Sequence, residues 1–270
     1  MQTDQQNINS QVNALREDWS FLEALDLPTA SVIKRSAVFV RDLNRNGKTR
    51  PVYVKIYGNK QHPFQRLFRT GRSRTEVRNL LFFKSLGIST PEVLAWGERR
   101  NALGRLVEEF IITRAEENSL QLDEFVKKHC PDSNDPQQGA TRIRIVRQLG
   151  EWTRRMHAHH FIHEDLKWRN ILARHGEAEA ELFWIDCPKG TFHRPGINFE
   201  RKKLKDCATL DKLARFICTK EERSVFLQAY LGESARPEEI QKLCHKIESY
   251  RKARFDKRDD QQRQNENDTY

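Results

Sequence analysis

The sequence predicts an α+β chain in two lobes, a strand-rich first third followed by a mostly helical remainder. Three observations carry that expectation. Two runs, "SAVFVRDL" and "RPVYVKIY", flank "NRNGKT", whose Asn46-Gly47 pair is a strong hairpin-turn signal. Further on, Ile143, Val146, Leu149, Trp152 and Met156 recur every three or four residues and lay one apolar stripe along a helix. The change from one pattern to the other falls near Ala115. At 270 residues the chain is long enough for two lobes and can bury roughly 70–75% of its unfolded surface.

Taken in order, residues 1–30 are a polar and then weakly helical N-terminal extension, with Trp19, Phe21, Leu22 and Leu25 as its small apolar face. The first lobe, 31–114, turns to strands from Ser31 and contains the hairpin. A basic segment from Phe64 to Arg78 then runs into a helix ending at "LGISTP", where Gly87 suits a C-terminal cap and Pro91 a stop. "RLVEEFIIT" reads as a buried strand. The second lobe, 115–250, begins with the short helix "SLQLDEFVKKH", continues with the strong helix Thr141–His157 and the short strand "ELFWID", and adds helices over Asp206–Ile217 and Glu221–Tyr230. From Arg251 to Tyr270 there is one aromatic before the last residue and almost no aliphatic side chain, the composition of a solvated tail.

Composition narrows the function classes. Hydrophobic residues make up 37% and charged residues 32%, a polar but globular balance. No apolar run approaches the eighteen or so residues of a membrane helix, and "MQTDQQNINSQ" lacks the basic and apolar regions of a signal peptide; a cytoplasmic protein is expected. Five cysteines, an odd number with no C-x-x-C pair, argue against a disulfide framework or a zinc knuckle. The net charge of +10 favours an anionic partner: nucleic acid, nucleotide phosphate or an acidic membrane surface. No aromatic-basic ladder accompanies it, so nucleic acid is not expected.

The stretch "FIHEDLKWRNIL", Phe161–Leu172, sets charged and amide groups among residues that want burial. Phosphoryl transfer from a nucleotide would use such groups: a fixed cation for the phosphates, oxygen ligands for a metal, and a carboxylate to take the acceptor's proton. Asp165 and Asn170 are separated by four intervening residues, as in the catalytic-loop pattern H-x-D-x-x-x-x-N. Lys55 lies in "VYVKIY", where alternation puts Val52 and Val54 on the face opposite Tyr53 and Lys55. Glu76 opens the helix "TEVRNLLFFKSLG" and is placed to hold Lys55, and Asp186 ends the hydrophobic strand "LFWID". His157, His159, His160 and His163 read better as packing and helix-end residues than as a zinc site.

In this order the motifs resemble the Kdo/WaaP (InaA-like) lipopolysaccharide kinase family of Gram-negative bacteria, a protein-kinase-like fold. The resemblance runs from about Ala37 to Ile217 and rests on "MHAHHFIHEDLKWRNIL" followed by "FWIDCPKG". "SRTEVRNLLFFKSLGISTPEVLAWGE", "EEFIITRAEENSLQLDEF" and "KDCATLDKLARF" support it. The resemblance implies a small β-rich N-lobe and a larger helical C-lobe, with ATP and Mg²⁺ as cofactors. It further implies Asp165 as catalytic base, Asn170 and Asp186 as metal ligands, Lys55 as the phosphate-binding lysine oriented by Glu76, and Asp206 as a brace for the loop. Lys167 would neutralise charge on the transferring group. The implied acceptor is a sugar hydroxyl, heptose first, of the lipopolysaccharide core glycolipid, phosphorylated at the anionic cytoplasmic face of the inner membrane.

The sequence departs from the general kinase pattern in three places. No G-x-G-x-x-G precedes Lys55, which leaves the Asn44–Lys48 turn or another loop to cover phosphates. Glu164 stands where an arginine is usual, so activation by loop phosphorylation is not expected. Cys187-Pro188 follows Asp186 in place of Phe-Gly, and Pro188 restricts Cys187 to extended backbone. The arginines 66, 69, 72, 74 and 78 read equally as a solvated face or as a site for an anionic acceptor or lipid headgroups. Rival readings are a small-molecule or protein kinase and a non-catalytic pseudokinase scaffold.

Overall fold

The computed structural model describes residues 2–23, 25, 36–45, 47–57, 70–176 and 179–256. The strand onset at 31–35, Asn46, Arg66, Arg69 and residues 257–270 lie outside the described residues. The chain divides into two units: 1–117 together with 183–189, and 118–182 together with 190–270. The observed secondary structure is α+β, as the patterns predict.

In the first unit, β1 (Ala37–Arg45) and β2 (Lys48–Tyr57) form an antiparallel hairpin whose register closes at Arg45–Lys48, a two-residue connection in which Gly47 adopts φ 73°. With β3 (Val93–Arg100) and β4 (Leu106–Arg114) they make a four-stranded antiparallel sheet in the order β1-β2-β4-β3. Alternation along β2 buries Val52, Val54 and Ile56 against Leu22, Leu43, Ala95, Phe110 and Ile112. Trp19, Phe21 and Leu25 pack on the same cluster. The N-terminal extension is therefore built into this unit as α1 (Gln2–Ala14) and α2 (Trp19–Glu23). Between these two helices the chain bonds to the sheet edge: Glu17 N–H donates to the Trp96 carbonyl at 2.9 Å, and Trp96 N–H to the Leu15 carbonyl at 3.0 Å. That pairing covers β3, whose open edge would otherwise be a template for another chain.

The helix α3 (Arg72–Ser85) starts earlier than its apolar pattern predicts, so Glu76 sits in its second turn and not at its start. Its end is as predicted. Gly87 takes φ 69° and donates to the Lys84 carbonyl at 3.1 Å, while Ile88 N–H donates to the Phe83 carbonyl at 3.0 Å. These are the two closing bonds of a Schellman cap.

The second unit is mostly helical. It holds α4 (Leu122–His129), α5 (Pro136–Ala158), α6 (Ile197–Ile217), α7 (Lys220–Leu231) and α8 (Pro237–Arg251). The stripe helix, α5, begins five residues before the predicted Thr141, because Asp135 caps it by accepting from Gln138 N–H at 2.8 Å and Pro136 occupies its first turn. α6 likewise begins nine residues before Asp206 and takes in the "RKKLK" run. Thr219 and Glu222 close a capping box on α7. α8 was not legible as a helix, and its Ile247 completes a core with Cys207, Ala208, Leu227 and Tyr230. Arg251 does not begin a solvated tail: it ends α8, is buried, and donates to Asp211 at 2.9 Å, and Phe255 packs on the same core.

Small strands frame the loop between α5 and α6. β6 (Phe161–Ile162) pairs with β9 (Thr191–Phe192). β5 (Leu120–Gln121), β7 (Ile171–His175) and β8 (Ala180–Trp184) make a three-stranded sheet. Among the described residues no helix is long and apolar enough to cross a membrane.

Candidate functional site

Three of the predicted site residues meet within the first unit. Lys55 on β2 places Nζ 2.5 Å from Asp186 Oδ1 and 3.1 and 3.3 Å from the two Glu76 oxygens. Strand alternation directs Lys55 away from the core face, and the second turn of α3 brings Glu76 up to it. Asp186 is not at the end of the strand, as its sequence context predicts, but two residues beyond β8, with φ 59°. A residue bearing a Cβ takes that left-handed backbone only where its surroundings impose it. Here Trp184 N–H donates to the Ser89 carbonyl at 2.9 Å on one side, and on the other Asn79 Nδ2 donates to the Cys187 carbonyl at 2.8 Å. Trp184 also stands edge-on to Phe83 of α3. The segment carrying Asp186 is thus pinned to α3 and the loop that follows it.

The three groups differ in exposure. The Glu76 side chain is 5% exposed and that of Lys55 16%, whereas Asp186 remains 41% exposed. Burial pushes the Glu76 carboxyl up to about 7, with Lys55 opposing and Asp186 adding to the rise. Burial works against the Lys55 ammonium, but the two carboxylates outweigh it and raise its pKa. Lys55 is thus a cation held between two carboxylates, Glu76 buried and Asp186 exposed. On the same sheet face, Val38 and Val40 lie opposite Lys55 and Tyr53 in the β1–β2 register, and both are 57% exposed. This apolar patch beside a cation escaped the sequence reading, though the alternation of β1 carries it.

In the second unit the loop between β6 and β7 is held from several sides. Asn170, in the 3-10 turn Trp168–Asn170, donates its amide Nδ2 to the Asp165 backbone carbonyl at 2.8 Å. That commits the NH₂ half of the amide and leaves Oδ1 as its acceptor. Lys167 Nζ lies 2.5 Å from Asp165 Oδ1, the two side chains being 34% and 33% exposed. Asp206 on α6 is fully buried; its carboxylate accepts the backbone N–H of His163 at 2.8 Å and of Glu164 at 3.1 Å. His157 is buried between the Tyr230 hydroxyl at 2.9 Å and Asp206 at 3.5 Å, so it ties the end of α5 to the same carboxylate.

Trp168 is 4% exposed, and its indole N–H donates to the Leu210 carbonyl at 3.1 Å. It plugs the second unit and anchors the loop to α6. Trp168→Phe removes that donor and leaves a buried carbonyl without it, so unfolding free energy should fall by about 1–3 kcal/mol in urea titration. An unchanged midpoint would show that the indole does not anchor the loop.

Other predicted features are occupied internally. Arg72 stacks over Tyr57 and approaches Glu109 at 3.8 Å. Of the "RKKLK" run, Lys202 and Lys205 bind Glu164 and Lys203 binds Glu200, so these lysines serve the fold rather than an external anion. The i, i+3, i+4 spacing of Lys202, Lys205 and Asp206 was the available signal, since it puts all three on one helix face.

Comparison with known proteins accords with this arrangement. A family model described as the lipopolysaccharide kinase (Kdo/WaaP) family matches residues 29–230. No curated protein matches the chain in sequence. Among solved structures, "WaaP in complex with acyl carrier protein" is similar to it, with 20% identity over 86% of this chain and 92% of that chain and a TM-score of 0.60. At that identity the likeness shows the fold, which is protein-kinase-like, with a β-rich N-lobe and a helical C-lobe. The family match spans both lobes, including every candidate residue from Lys55 to Asp206, and on it the chain belongs to the lipopolysaccharide kinase (Kdo/WaaP) family.

Proposed function

We propose that the chain transfers the terminal phosphoryl group of ATP, with Mg²⁺, to a hydroxyl of a lipopolysaccharide inner-core sugar, heptose first among the acceptors. The observation that carries this reading is the cation of Lys55 held between a buried Glu76 and an open Asp186. A lysine so placed is a ready partner for phosphate oxygens, and the exposed Val38 and Val40 beside it would offer apolar contact to a nucleotide base.

In the second unit, Asp165 would accept the proton of the attacking hydroxyl, and Lys167, already against its carboxylate, would face the charge that develops on the transferring group. Asp186, in the first unit, would offer a carboxylate oxygen and Asn170, in the second, an amide oxygen, the donor type that a hard cation such as Mg²⁺ takes. When bound, Mg²⁺ would neutralise charge on the nucleotide phosphates. The net charge of +10 supports work at the anionic cytoplasmic face of the inner membrane.

Labelled ATP offered with core oligosaccharide, aminoglycosides and protein acceptors tests the reading. Label should pass to the core sugar; transfer to protein or small molecule but never to core sugar would overturn it in favour of a different kinase. A pH profile tests the Lys55–Glu76 pair. With Glu76 at about 7, kcat/KM for ATP should fall as pH drops below neutrality, because protonated Glu76 no longer tethers Lys55. Glu76→Gln should abolish this limb and leave a lower, flat profile. The stability linkage has the opposite sense: a raised carboxyl pKa stabilises the fold fully below about 4.5, and that contribution is lost as pH rises to about 7.

A further inference from the structure

We propose that Glu164, Lys202 and Lys205 form a built-in charge clamp that positions Asp165, so that the loop is set without an added phosphate group. The clamp is a local claim about the second unit, and its catalytic consequence rests on the kinase reading above.

Glu164 immediately precedes Asp165 and holds φ 69°, a backbone state that a side-chain-bearing residue keeps only under external constraint. The constraint comes from one face of α6. Asp206 takes the two backbone N–H groups of His163 and Glu164. Lys202 bonds Glu164 Oε1, and Lys205 bonds Oε2 at 2.6 Å. Each carboxylate oxygen has its own lysine, which fixes the rotation of the group as well as its place. Residues 202, 205 and 206 are spaced i, i+3, i+4, so backbone and side chain of Glu164 are tied to the same stripe of helix. His193 Nε2 lies 3.9 Å from Glu164 Oε1 and His157 Nε2 3.5 Å from Asp206 Oδ2, two further titratable groups at the cluster.

Burial would raise the Glu164 carboxyl, but the hydrogen bonds from Lys202 and Lys205 overcome it and hold its pKa below the ordinary range. Both lysines bond Glu164, and Asp206 bonds the backbone beside it, so the four charged groups together are neutral. An arginine at position 164 would present a cation to Lys202 and Lys205 and would need an added anion to settle there. Glutamate makes the need disappear. Because Asp165 is the next residue, a return of Glu164 to ordinary backbone angles would swing the Asp165 side chain from its place. Glu164, Lys202 and Lys205 are therefore positioning residues, acting through the backbone.

The test uses Glu164→Lys and the double variant Glu164→Lys/Lys202→Glu, which restores an ion pair and a neutral cluster, in the full chain, read in two ways. Amide hydrogen exchange over Phe161–Asn170 reports the clamp itself, independent of activity. It should quicken in the single variant and recover in the double. Steady-state transfer to core oligosaccharide should show kcat falling about 10²-fold in the single variant, the scale of a misplaced catalytic group. KM for ATP should hold, and the double variant should regain kcat. Should Glu164→Lys not fold, Glu164→Gln, which keeps shape and removes charge, is read in the same way. Unchanged exchange in the single variant, or a folded double variant as impaired as the single, would overturn the clamp. Quickened exchange with unchanged kcat would overturn its positioning role. If wild-type protein transfers phosphate to no acceptor, the kinase reading fails, and the exchange measurement alone decides the clamp.

Discussion

Replacing Asp165 with Asn should leave the fold intact and, if Asp165 is the base proposed above, lower phosphoryl transfer by roughly 10²–10⁴-fold, the usual worth of a positioned base. The fold survives because the loop's internal bonds do not use this side chain: Asn170 bonds the Asp165 backbone carbonyl, and Asp206 holds the backbone of the two preceding residues. The contact that is lost is the one to Lys167. Both partners are about a third exposed, where such a pair contributes only about 0–1 kcal/mol. Chemistry and stability are thereby separable. An Asp165→Asn protein with wild-type melting and wild-type transfer would remove this residue from the reaction. The same loss of rate with a collapsed melting temperature would mean that the carboxylate supports the loop instead.

Arg142→Met should lower unfolding free energy by about 3–5 kcal/mol, the penalty for stranding one partner of a buried ion pair. Arg142, on α5, is buried and donates to both oxygens of Glu222, at 2.6 and 2.9 Å. The same guanidinium bonds the Cys130 carbonyl at 2.8 Å and the Ile217 carbonyl. From the second turn of α5, one side chain thus reaches the ends of α4 and α6 and the start of α7, and α5 is the helix that leads into the Asp165 loop. In urea titration the midpoint should fall with the slope unchanged, which marks a loss of stability rather than a change in the unfolded chain. The partner substitution decides the cause. Arg142→Met combined with Glu222→Leu should recover much of the loss, because no buried charge is then left unpaired. A single variant within 1 kcal/mol of wild type would show that the network is not the lock described.

Much of the fold was legible because its signals are local. Gly87 named its own helix cap, the Asn46-Gly47 pair between two strand runs marked the hairpin, and the stripe from Ile143 to Met156 marked α5. Where boundaries slipped, a polar start concealed a capping signal. Asp135-Pro136 was present in the sequence, but the residues around it carry no apolar stripe. α8 was overlooked for a similar reason: half-buried Ile240, Leu243 and Cys244 pack on the core beside charged neighbours. The Lys55–Glu76–Asp186 cluster was legible through resemblance, since its members lie 21 and 131 positions apart and no local pattern links them. The left-handed backbones of Glu164 and Asp186 carry no mark in sequence, because tertiary hydrogen bonds impose them. Glu164 accordingly read as a missing arginine, when its meaning lay in two lysines on a helix some forty residues later.

The central claim is that this chain adds a phosphate to the lipopolysaccharide core. Mass spectrometry of core oligosaccharide measures this most directly, in cells lacking the gene and in the same cells supplied with wild-type or Asp165→Asn protein. The account predicts that deletion removes one phosphate unit, that wild-type protein restores it and that the Asp165→Asn protein does not. A fully phosphorylated core in the deletion strain, or equal restoration by both proteins, would contradict it.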